Sequence, residues 1–238
     1  MNPLPLLLWT LLSASLASGA DATHRYEFRA LHNRDGIGKF YMGREIAHVM
    51  GHQAADWLER TNREEEEHSS VLVDQLKLKP GEVVADIGCG TGYMSRRLAK
   101  KVLPGGRVLG VDIQPEMLAL LRTEMLKAGI TNVVPVLGTI TDPRLPTNSV
   151  DLVLLVDVYH EFDHPYEMTE AILRGLKPGG RLVFVEFRAE DPDVPIKDVH
   201  KMTAAQVKKE MGAFALDWTE TIGVLPWLHI IIFRKREK

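Results

Sequence analysis

Short apolar runs alternate with segments of helical spacing through most of this chain. Val83–Ile87, residues 107–111, Val133–Leu137, Val150–Val156 and residues 182–185 each read as a strand. They are nearly continuous in apolar residues, the pattern of strands covered on both faces. Helices are predicted just after Gly92, from Pro115 onward, over 203–211, and over 71–78, the last stopped by Pro80-Gly81. Strands alternating with helices predict an α/β fold, a parallel sheet with helices on both faces. Residues 215–222 and 228–233 read as two closing strands separated by Leu225-Pro226-Trp227. No internal repeat or low-complexity segment interrupts the pattern.

Two segments precede it. Residues 4–20 are apolar or small, densest at Leu6-Leu7-Leu8-Trp9, with Ser18-Gly19-Ala20 as a small-residue cleavage site. Residues 1–20 resemble a secretory signal peptide, although no Lys or Arg precedes the apolar run. The run is too short and interrupted for a stable membrane span. A periplasmic or secreted protein is therefore expected, with a cytoplasmic one as the alternative. Within residues 21–70, Arg34 to Gly43 looks like an ordered, glycine- and aromatic-rich loop. Ile46, Val49, Met50, Ala54, Trp57 and Leu58 then give residues 45–60 an approximate helical spacing. His48 and His52 are four apart, but no third ligand lies near them in sequence and Gly51 weakens the helix, so no metal site is expected.

Composition narrows the class. The chain has 238 residues, 45% hydrophobic and 26% charged, consistent with one globular domain. A net charge of −3 and the lack of a basic stripe give no electrostatic footprint for nucleic acid. Cys89 is the single cysteine, so no intramolecular disulfide forms.

The chemistry concentrates after the strands. Val83-Val84-Ala85-Asp86-Ile87 runs into Gly88-Cys89-Gly90-Thr91-Gly92, an acid followed by glycines at every second position. Such a loop turns tightly and lets a ligand approach the backbone. In a dinucleotide fingerprint the third glycine comes one position later, which disfavours an oxidoreductase. The next strand ends at Asp112, placed to accept ribose hydroxyls; its bland reading is a helix cap. Val150–Val156 leads into Asp157-Val158-Tyr159-His160-Glu161-Phe162, and Leu176-Lys177-Pro178-Gly179-Gly180 precedes the fifth strand.

In this order, these pieces resemble the class I S-adenosylmethionine-dependent methyltransferases, over roughly residues 72–233. Residues 159–165 are similar to the ubiquinone/menaquinone-type small-molecule branch. The resemblance implies a doubly wound, seven-stranded, mostly parallel sheet of order 3-2-1-4-5-7-6, the Rossmann-like methyltransferase fold, within an S-adenosylmethionine-binding domain over residues 71–238. It implies S-adenosyl-L-methionine as donor, held by Asp86, Gly88, Gly90, Gly92, Asp112, Ile113, Thr139, Ile140 and Asp157, and a small-molecule acceptor. It also implies that residues 21–70 form a helical lid, with Phe40, Tyr41 and Trp57 over the donor. Many relatives carry Gly-Asp after the third strand; here Gly138-Thr139 stands there. Either the backbone near Thr139 and Ile140 meets the adenine or Asp142 does.

Methyl transfer requires alignment of acceptor, methyl and sulfur, and removal of a proton from a protonated acceptor. His160 is the candidate base and Tyr159 a candidate to orient the acceptor. Glu186, Arg188 and His200 are further candidates on that side. Cys89 reads as a small residue needed between glycines rather than a nucleophile. Two alternatives stay open: an exported methyltransferase-like protein that binds its ligand without catalysis, and a nucleotide-dependent oxidoreductase.

Overall fold

The computed structural model describes residues 25–237, so the leader segment expected at 1–20 lies outside the described residues. The main sheet is built from β4 (Val83–Ile87), β5 (Arg107–Asp112), β6 (Val133–Leu137), β7 (Val150–Val156), β8 (Leu176–Arg188), β10 (Leu216–Ile222) and β11 (Leu228–Lys235). Their order is β10-β11-β8-β7-β4-β5-β6, with the two-residue β9 (Lys201–Met202) beside β8. Numbered along the chain, the seven strands of that path lie 3-2-1-4-5-7-6, the expected order. All pairs are parallel except those of β11, which runs antiparallel to both β8 and β10.

The central strands are apolar because both faces are covered. Val84, Leu152, Leu154, Val183 and Val185 pack into one buried cluster; Ala85, Val153, Leu155 and Phe184 pack into another. Successive strand residues point to opposite faces, so each strand feeds both layers. Helices α4 (Tyr93–Lys101), α5 (Pro115–Lys127), α6 (Pro165–Gly175) and α7 (Ala204–Met211) supply the covers. Truncating a fully buried leucine such as Leu154 to alanine would cost about 2–5 kcal/mol.

The segment ahead of the core departs from its expected helix. β1 (Tyr26–Phe28), β2 (Gly36–Tyr41) and β3 (Arg44–Ala47) form a three-stranded antiparallel sheet. Tyr41 pairs with Arg44 across a two-residue turn, in which Met42 and Gly43 have φ of 50° and 92°. Two positive φ values in such a loop match the twist of a hairpin, and Gly43 takes one at little cost. The hairpin takes residues 44–47 out of the helical pattern, and glycine at 51 breaks what remains. Only a 3-10 turn (His52–Ala54) and the one-turn helix α1 (Ala55–Leu58) survive, followed by α2 (Arg63–Glu67) and α3 (Ser69–Gln75). His48 and His52 consequently do not share a helix face. Phe40 and Tyr41 pack under Arg29 and against Tyr26 instead of covering the ligand cavity.

Candidate active site

A cavity of about 420 Å³ opens at the carboxyl ends of β4, β5, β6 and β7. One wall comes from the N-terminal segment, through Met50, Trp57 and Leu58. Ligands of open α/β sheets bind at these strand ends, where the strand order reverses.

The glycine loop forms one end. Gly88, Gly90 and Gly92 have φ of 69°, 52° and 87°. Gly88 and Gly90 line the cavity, and Gly92 does not. A Cβ on Gly92 would sit 2.2 Å from Leu121 Cδ1, so this glycine serves the packing of α5 on the loop. A Cβ on Gly90 would meet Leu58 Cδ1 at 2.5 Å, which shows how closely the N-terminal segment rests on the loop. Cys89 is buried with Leu118, Leu121 and Met125, and burial pushes its thiol up, so it is a packing residue and not a thiolate.

Two carboxylates face this end. Asp112 accepts from Gly90 N–H at 3.0 Å and Gln114 N–H at 2.9 Å. Burial raises its pKa, and these backbone bonds pull it back. One N–H on each oxygen leaves acceptor capacity for two hydroxyls. Asp86 accepts from the Ser95 hydroxyl at 2.5 Å, and burial pushes it up to about 6 despite that bond. Ile113, Thr139 and Ile140 complete this end. Thr139 accepts from Asp142 N–H at 2.9 Å, while the Asp142 carboxylate accepts from Arg144 N–H and faces Arg174 at 3.5 Å. The turn therefore leaves Thr139 and Ile140 in the cavity wall and carries Asp142 away from it.

The other end is crowded with charge. Asp157, at φ 53°, Glu161 and His200 line the cavity. His160 lies behind them, 1% exposed, and does not. Its Nδ1 is 2.6 Å from Glu186 Oε2, and its Nε2 is 3.1 Å from His200 Nδ1. Burial opposes its charge, but Glu186 overcomes that and lifts His160 to about 9. Burial and the adjacent His160 charge lower His200 to about 4. Burial raises Asp157 and Glu161 each to about 7, against the pull of His160. Tyr159 is fully buried away from the cavity, and its hydroxyl donates to Glu210 at 2.7 Å. Arg44 forks onto the same Glu210 at 2.8 and 3.1 Å and donates to the His160 carbonyl at 3.1 Å. Removing one partner of such a buried pair typically costs about 3–5 kcal/mol. Arg188 turns from the cavity to cap the carbonyls of Leu225, Pro226 and Leu228.

Hydrogen bonds tie the N-terminal segment to both ends. His52 N–H donates to Gln114 Oε1 and Gln114 Nε2 donates to the Met50 carbonyl, both at 2.9 Å. Met50 N–H donates to Glu161 at 3.2 Å, and Glu59 binds Thr91 at 2.5 Å and Arg96 at 2.6 Å. Glu59, Gln114, Arg44 and Glu210 carry no motif; each acts on a partner distant in sequence.

Residues 78–231 match the methyltransferase domain family. The chain belongs to this family. Among curated relatives, it is 36% identical to a ubiquinone/menaquinone biosynthesis C-methyltransferase of Ectopseudomonas mendocina, over 46% of this chain and 43% of that protein. It is 40% identical to an uncharacterized 37.1 kDa transposon protein of Streptomyces fradiae, over 50% of this chain and 34% of that one. The chain thus spans less than half the length of these curated relatives. A crystal structure of an S-adenosylmethionine-dependent methyltransferase from Aquifex aeolicus superposes with a TM-score of 0.74 and 22% identity, over 79% of this chain and all of that one. The fold is the class I methyltransferase fold, and the family's donor is S-adenosylmethionine. The methyltransferase domain fits that donor: Asp112 keeps free lone pairs for a ribose, Ile113 and Ile140 offer apolar surface to a base, and Asp86 lines the same cavity.

Proposed function

We propose that this chain transfers a methyl group from S-adenosylmethionine to a small-molecule acceptor held beside Asp157, Glu161 and His200. The observation that carries this reading is one continuous cavity with a ribose-type carboxylate at one end and titratable side chains at the other. When bound, the donor supplies an electrophilic methyl on a sulfonium sulfur. Asp112 accepts from the ribose hydroxyls, and Asp86 faces the donor's ammonium. Gly88 and Gly90 keep the loop backbone close to the donor, and Thr139 and Ile140 flank its base. Asp157, Glu161 and His200 meet the acceptor, while His160, itself held by Glu186, positions His200 from behind. Met50, Trp57 and Leu58 close the wall and exclude water, which strengthens every charge interaction inside.

The similarity to a quinone-pathway C-methyltransferase supports a small, oxygen-bearing acceptor. The leader-like residues 1–20 support export, which the mass of the mature chain from a periplasmic fraction would test. The activity is tested by incubating the full chain with methyl-labelled S-adenosylmethionine and panels of quinols, phenols and thiols. Labelled acceptor together with S-adenosylhomocysteine is the expected result. Donor binding without release across the panels would make the chain a ligand-binding protein instead.

A further inference from the structure

We propose that His160, Glu161 and His200 bind one divalent first-row transition-metal ion at the acceptor end of the cavity. The proposal deepens the methyl-transfer reading and rests on it for the ion's use, though not for its ligands.

The spacing is that of ligands around a shared centre. His160 Nε2 lies 3.1 Å from His200 Nδ1 and 4.0 Å from Glu161 Oε1. His200 Nδ1 lies 3.9 Å from the same Glu161 oxygen. The ligand atoms of His160, Glu161 and His200 all fall within 4.8 Å of one another. Nitrogen and carboxylate ligands sit about 2.0–2.2 Å from such an ion, so two of them stand about 3 Å apart at a right angle and about 4.2 Å apart when opposed. Each of the three measured separations falls in that range.

Second, the array is oriented from behind. Glu186 holds His160 Nδ1 at 2.6 Å, which turns Nε2 toward the cluster. A carboxylate on the far nitrogen is the usual partner of a metal-binding imidazole. Glu186 is itself fixed by Tyr159 N–H at 3.0 Å. Glu161 spends one acceptor position on Met50 N–H and keeps the others.

Third, carboxylates outnumber the cationic groups of the cluster. Asp157, Glu161 and Glu186 surround His160, while the neighbouring basic side chains are committed elsewhere. Arg44 is forked onto Glu210, Arg63 onto Glu67, and Lys197 onto Asp35. Buried charges are stable when paired or coordinated to a metal. Two imidazole nitrogens 3.1 Å apart also need a shared proton between them, and an ion replaces that proton. Mixed imidazole and carboxylate donors select zinc, iron, cobalt or nickel over magnesium or calcium. Asp157, Glu161 and His200 face the cavity, so the ion has an entry path and an open side. That side would take a hydroxyl or carbonyl oxygen of the acceptor, the ligand class this site recognises.

The test uses the full chain without a histidine tag, stripped with a chelator and saturated with S-adenosylhomocysteine. Titration with Co2+ should give visible d–d bands saturating at about one equivalent, and Zn2+ should bind calorimetrically with the same stoichiometry. His200→Ala and Glu161→Gln should each weaken Zn2+ binding at least about tenfold, and Glu186→Gln about 10–100-fold. S-adenosylhomocysteine affinity should remain within about twofold in His200→Ala, which also reports that the variant is folded. No saturable Zn2+ or Co2+ binding, or an unchanged Zn2+ affinity in both ligand variants, would overturn the site and leave a proton-sharing histidine pair. Should a variant not fold, the Co2+ spectrum of the unmodified chain decides. Metal binding without S-adenosylhomocysteine binding would break the donor reading instead, so the two failures are distinct.

Discussion

The two ends of the cavity are built by opposite means. At the glycine loop, a short run of backbone does most of the work: Gly90 and Gln114 N–H groups fix Asp112, and Ser95 fixes Asp86. Both carboxylates there have neutral donors, although burial still raises each of them. At the other end, Asp157, Glu161 and Glu186 crowd around two histidines, and their charges are mutually unfavourable. A neutral-donor cradle suits a ligand that always has the same shape. A charge-frustrated cluster suits a place where a cation or proton arrives and leaves.

That contrast predicts that the donor end is sensitive to its own groups and indifferent to the cluster. Asp112→Ala should have the largest effect on S-adenosylhomocysteine affinity. Charge-assisted hydrogen bonds contribute about 1.5–3 kcal/mol each, so calorimetry should read a loss of at least about tenfold. A change within twofold would remove the ribose role.

Acidification comes next. Asp86 titrates at about 6 in the free protein because burial disfavours its charge. The ligand's ammonium favours the carboxylate form, so affinity is full above that value and falls as pH drops through it. Between pH 7 and pH 5, affinity should fall about tenfold, and Asp86→Asn should flatten the step. A step of the same size in Asp86→Asn would assign it to another group.

Gln114→Ala should act more weakly. It deletes two hydrogen bonds to Met50 and His52, each worth about 0.5–1.5 kcal/mol, and loosens the wall without touching the loop. Affinity should drop about fivefold, and amide exchange should quicken over 48–58 but not over 88–92. His200→Ala should move donor affinity least, by less than about twofold. A tenfold loss there would mean that the two ends are coupled.

The same contrast explains what the sequence disclosed. The strands were legible because Val83–Ile87, Arg107–Asp112 and Val150–Val156 are buried on both faces and keep near-continuous apolar runs, while their order came from the resemblance to class I methyltransferases. The loop and Asp112 were legible because their partners are a few positions apart or belong to a recurrent motif. The acceptor end was legible only in pieces: His160, Glu161 and His200 each drew notice, but their contact depends on β8 and the loop after it returning beside β7. Tyr159 and His160 sit behind the wall because the 3-10 turn Tyr159–Glu161 turns Glu161 to the cavity and buries its neighbours. The N-terminal sheet was missed because glycines at 36, 38 and 43 make residues 34–43 read as a loop where β2 lies, and apolar residues at 46, 49, 50, 54, 57 and 58 imitate a helix across β3. The two-residue Met42-Gly43 turn, with positive φ at both positions, overrides them.

The methyl-transfer reading requires a single cavity in which a bound donor points its methyl group at the charged cluster. A crystal structure of the full chain with S-adenosylhomocysteine tests this most directly. The account predicts the ribose hydroxyls on Asp112, the amino group on the Asp86 side, and the sulfur facing Glu161 and His200. A ligand whose ribose leaves Asp112 free, or whose sulfur lies more than about 8 Å from both Glu161 and His200, too far for one acceptor to bridge them, would contradict it.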